Sequence, residues 1–206
     1  MPLPILLGFS ARAMHTPRNE SVCRDQLLRP DIAWPISTDA MVFPTVFDAM
    51  EDCATGECGF ARGHSIQDLW GSLQDLREIT AAEFSADDWP TGSYTLIAVA
   101  LMLAEGPAVW PGEPMAFNGP AIPDAPDPAW ELLGYDVSDE WLLSGLSNCL
   151  IKTDPDFAKW EEWWAPKLNA HGLFATLDDA IAFAAAIDDR IKEHAPFHPY
   201  AIYRVE

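Results

Sequence analysis

Three groups of residues have the types and spacings from which chemistry is built. Asp136, Asp139 and Glu140 stand close together, with Glu161 and Glu162 further along. Paired carboxylates act as general acid and base when a fold brings two of them to one substrate. The same residues also make an ordinary solvated acidic surface. Cys53, Cys58 and His64 form the second group, with Cys149 distant. Thiolate and imidazole suit zinc. The two near cysteines are separated by four residues, however, with no second close pair and no strong fourth ligand nearby. Buried thiols are therefore expected, with no metal or other cofactor. His194 and His198 are the third group, and Pro196 between them interrupts the helical spacing that would set both rings on one face. Ordinary loop histidines are expected there.

No longer motif joins these residues into a site. The chain has no GxxxxGK phosphate loop, no GxGxxG turn, no HExxH helix and no GxSxG elbow. Spacing alone assembles no nucleophile, base and orienting group. The sequence therefore reads as that of a protein that is not an enzyme. Its charge points to binding instead. Thirty-two acidic residues face 12 basic ones, a formal net charge of −20. Such a surface repels nucleic acid and anionic membrane and attracts cationic partners. Acidity that serves only solubility is the other reading of the same number.

The element that must position the carboxylates is the stretch from Trp130 to Asn148, WELLGYDVSDEWLLSGLSN. It reads as a strand with Trp130, Leu132 and Gly134 on one side and Glu131, Leu133, Tyr135 and Val137 on the other. Apolar residues on both sides predict burial on both faces. Ser144, Gly145, Ser147 and Asn148 then predict a tight loop. Around this stretch, Pro2 to Ala13 reads as a strand, with Ile5, Leu7 and Phe9 alternating. Short helices are expected over Arg18–Arg29 and Thr45–Asp52. A longer helix opens at Ser65 and runs on Ile66, Leu69, Trp70, Leu73 and Leu76. Tyr94 to Leu103 is a buried strand, with a buried helix as the competing reading.

Between Glu105 and Pro128 lie seven of the 18 prolines, which predict a long loop wrapped over the domain. Asp154-Pro155 opens a helix with Phe157, Trp160, Trp164 and Leu168 on one face, kinked or restarted at Pro166. Thr176 with Asp179 caps a last helix on Leu177, Ala180, Ile181, Ala184, Ile187 and Ile191. Tyr200 to Val205 alternates as a closing strand. The fold class is α+β: residues 1–206 as a single domain, with a mostly antiparallel sheet of about four strands, helices on one side, and the Pro-rich loop 105–128. No internal repeat is read from the sequence. The longest apolar run, Leu96 to Ala104, is shorter than the ~20 residues of a spanning helix. Pro4 and the lack of early positive charge argue against a signal peptide. Four cysteines in a chain this long suggest reduced thiols in a cytoplasm.

The segments LLGYDVSDEWLLSGLSNC (Leu132 to Cys149) and WAPKLNAHGLF (Trp164 to Phe174) resemble motifs of uncharacterised bacterial proteins. Small, acidic, cytosolic proteins of that kind resemble the immunity partners of secreted polymorphic toxins. The resemblance implies a protein that neutralises a cognate basic toxin domain by binding it, with no residue-level site carried over. The partner surface expected from the acidic and aromatic residues comprises Asp136, Asp139, Glu140, Trp141, Glu161, Glu162 and Trp163. The runner-up is a small-molecule hydrolase using Asp136, Asp139 and a histidine such as His171.

Overall fold

The computed structural model describes residues 4–13, 69–83, 94–102, 125–139, 144–146 and 156–205. Four strands and three α-helices carry these residues: β1 (Pro4–Ala13), α1 (Leu73–Glu83), β2 (Tyr94–Met102), β3 (Glu131–Ser138), α2 (Phe157–Trp164), α3 (Leu177–Asp188) and β4 (His198–Arg204). A short 3-10 turn, Ala165–Lys167, follows α2, where Pro166 forces the expected restart. The class is α+β, as the sequence indicates. The strands form one antiparallel sheet in the order β1-β2-β4-β3.

Strand alternation divides the sheet into two apolar faces. On one face, Leu6, Phe9, Leu96 and Ala98 pack with Trp70 and Leu76, which brings α1 over this side. Ala100, Met102 and Ala201 lie on the same face and pack with Leu177 of α3. Val137 continues that face into a cluster with Trp160, Trp164, Phe174, Phe183 and Ile187. The helices therefore sit on one side of the sheet. The opposite face carries Leu7, Ile97, Val99, Leu101, Leu133, Tyr200 and Ile202, all buried. Tyr94–Met102 is a strand, which settles the choice the short apolar run left open.

Three local expectations are corrected. The helix expected from Ser65 starts only at Leu73 among the described residues. Leu69 and Trp70 are extended and bonded to β1 instead: Phe9 N–H donates to Trp70 O (2.8 Å) and Trp70 N–H to Phe9 O (2.7 Å). Apolar spacing of three and four residues also fits a strand that turns into a helix, so the period misled. The side-to-side reading of β3 fails at Leu133. A bulge between Leu132 and Gly134 inserts one residue, so Leu133 joins the face of Ile202 while Tyr135 and Val137 take the other.

The third correction is the repeat. Leu6-Leu7-Gly8-Phe9 in β1 and Leu132-Leu133-Gly134-Tyr135 in β3 carry the same bulge at the same place. Each strand then meets a bridge, Phe9 with Trp70 and Tyr135 with Phe174. After each bridge comes a matching helix start. Leu69-Trp70-Gly71-Ser72-Leu73 corresponds to Leu173-Phe174-Ala175-Thr176-Leu177. In each, the hydroxyl accepts a backbone N–H three residues on: Ser72 from Asp75 and Thr176 from Asp179, both at 3.2 Å. Phe9 pairs with Ala98 and Tyr135 with Ala201, so β2 corresponds to β4. Val99 pairs with its own counterpart Ile202. Among the described residues there are thus two strand–bridge–helix–strand units of matching register, arranged about the Val99·Ile202 pair. The shared residues are few and widely spaced, which hides the repeat from a reading of the linear sequence.

The short helices expected over Arg18–Arg29 and Thr45–Asp52 lie outside the described residues, as do Cys53, Cys58, His64, Cys149 and most of the Pro-rich stretch. Of that stretch, Ala125–Pro128 is neither helix nor strand.

Candidate functional site

β3 delivers its carboxylates inward. Asp136 is 0% exposed and Asp139 is 1% exposed, so neither lies on the acidic surface where the sequence placed it. The reason is local. Asp136 projects to the same face as Gly134 and Tyr200. There its Oδ1 accepts the N–H of Val137 (2.8 Å) and the hydroxyl of Ser144 (2.6 Å). Ser144 Oγ in turn accepts the N–H of Leu146 (3.1 Å), and Gly145 N–H donates to Val137 O (2.7 Å). One buried carboxylate therefore fixes the returning segment 144–146 against the strand. Gly145 packs close to α3: a Cβ there would lie 2.5 Å from Ile187 Cδ1, so the end of that side chain would have to shift.

Asp139 anchors a second segment. Its Oδ2 lies 2.9 Å from His194 Nδ1, and its carbonyl accepts the Tyr200 hydroxyl at 3.1 Å. The contact is a hydrogen bond or an ion pair according to the protonation of the ring. The His194 side chain is 26% exposed, and Glu193 Oε1 lies 3.8 Å from its Nε2. Buried carboxylate, half-buried imidazole and exposed carboxylate thus form one line from the core to the surface. Such a pair can hold a ring in one orientation for proton transfer. Ser144 is not part of a relay, because its hydroxyl goes to Asp136.

His171 does not meet the carboxylates. It belongs to a turn organised by Asn169, whose Oδ1 accepts the N–H of His171 (2.8 Å) and of Leu173 (3.3 Å) and whose Nδ2 donates to Leu133 O (2.7 Å). The histidine at Asp139 is His194, 55 residues away in sequence; no local spacing announces such a pair. Ser144 and Tyr200 were equally invisible as partners. His198 lies within β4, away from the loop position the sequence suggested. Glu140 and Trp141 lie outside the described residues.

The remaining expected residues sit together on the outer face of α2. Glu162 is exposed, Glu161 is half-buried, and Trp163 is 41% exposed. The Trp163 ring is covered on one side by Lys167, whose Nζ is 4.4 Å from its centroid and 2.9 Å from Asp179 Oδ1. Two other tryptophans of the same helix behave differently. Trp160 stacks on Phe183 at 5.2 Å, and Trp164 meets the same ring edge-on at 5.5 Å. Among the described residues no cluster of three metal-ligating side chains occurs, and no helix is long and apolar enough to cross a membrane. No family model, curated protein or solved structure matches the chain.

Proposed function

We propose that this chain is an immunity-type protein that binds and neutralises a basic toxin domain in a bacterial cytoplasm. The observation that carries the reading is Trp163, a large aromatic 41% exposed on the surface of a chain with net charge −20. Exposed aromatics amid charge serve as anchors that supply affinity, while the surrounding field supplies speed. A toxin must be captured quickly, and opposite charge raises association rates by roughly 10–10³.

Co-expression with the protein encoded beside this chain tests the proposal. A stable complex and survival of cells making the neighbouring protein are expected. Association should slow as salt rises, because screening shortens the reach of the field. Glu162→Lys should slow it further with the fold intact. Death of the cells with and without this chain, and no complex on a sizing column, would remove the immunity reading. The Asp139–His194 pair favours a second reading, a small-molecule hydrolase with His194 as base. Turnover in a substrate screen, abolished by His194→Gln, would establish it.

A further inference from the structure

We draw no further inference here: the strongest candidate, the surface patch that exposed Leu132 forms with half-buried Tyr135 and Tyr203 on the helix side of β3 and β4, carries nothing, because nothing among the described residues shows what covers it.

Discussion

Asp136 shows how one side chain can organise a segment. Its carboxylate holds the Val137 N–H and the Ser144 hydroxyl with no exposure to water. Asp136→Ala leaves buried donors without their acceptor, and a loss of about 3 kcal/mol is expected, since bonds to charged groups and orphaned donors each cost in that range. Urea unfolding measures it, and a loss below about 1 kcal/mol would show that the carboxylate does not hold the 144–146 return. The burial of Asp136 and Asp139 was not legible beforehand. Acidic residues cluster on surfaces far more often than in cores, and the partners that reverse the rule here come from distant positions. The turn residues were legible, because Ser144 and Gly145 announce a tight return by type alone.

At the scale of elements, helix phase separates three tryptophans of α2. Trp160 and Trp164 point at Phe183, and Trp163 points out. Trp160→Ala should cost about 3–5 kcal/mol as an aromatic truncation in a core, and Trp163→Ala less than about 1 kcal/mol. Equal losses in denaturant melts would contradict this phase. The start of α3 predicts a pH effect. Hydrogen bonds from the Lys167 ammonium and the Thr176 hydroxyl hold the Asp179 carboxyl below its ordinary value of 3.8. A carboxyl lowered by folding contributes stability above its unfolded pKa and loses it as pH falls through the folded value. Asp179→Asn should therefore lower the melting temperature at neutral pH, with the gap to the parent closing in acid. The capping pair Thr176 and Asp179 was readable from the sequence, because both partners lie within one turn. The bulges were not, because their mark is two apolar residues in succession, Leu132 and Leu133, which a strand covered on both faces also carries.

For the whole molecule, the arrangement of the two units decides the layout. It places β2 against β4 at the centre and leaves β1 and β3 as outer strands. Strand content and class were legible from alternating apolar residues, whereas strand order was not, because it is set by pairings between distant segments. The outer strand β3 has a further property. The Leu133 carbonyl is taken by Asn169, both backbone groups of Tyr135 by Phe174, the Val137 carbonyl by Gly145 and the Val137 N–H by Asp136. Gly134, at φ +148° and with Asn169 and Leu173 each 2.8 Å from the place of a Cβ, is what lets these groups come so close. Gly134→Ala should cost about 3 kcal/mol, from backbone strain and displaced neighbours, and should release the Asn169 turn. Thioflavin binding after mild heating would then rise above that of the parent, because an opened strand border is a template for other chains. In the native protein that border is closed from Leu133 to Val137. No foreign strand can extend the sheet there, so any partner at this end must recognise side chains rather than borrow backbone, and selectivity rather than stickiness is what this border provides.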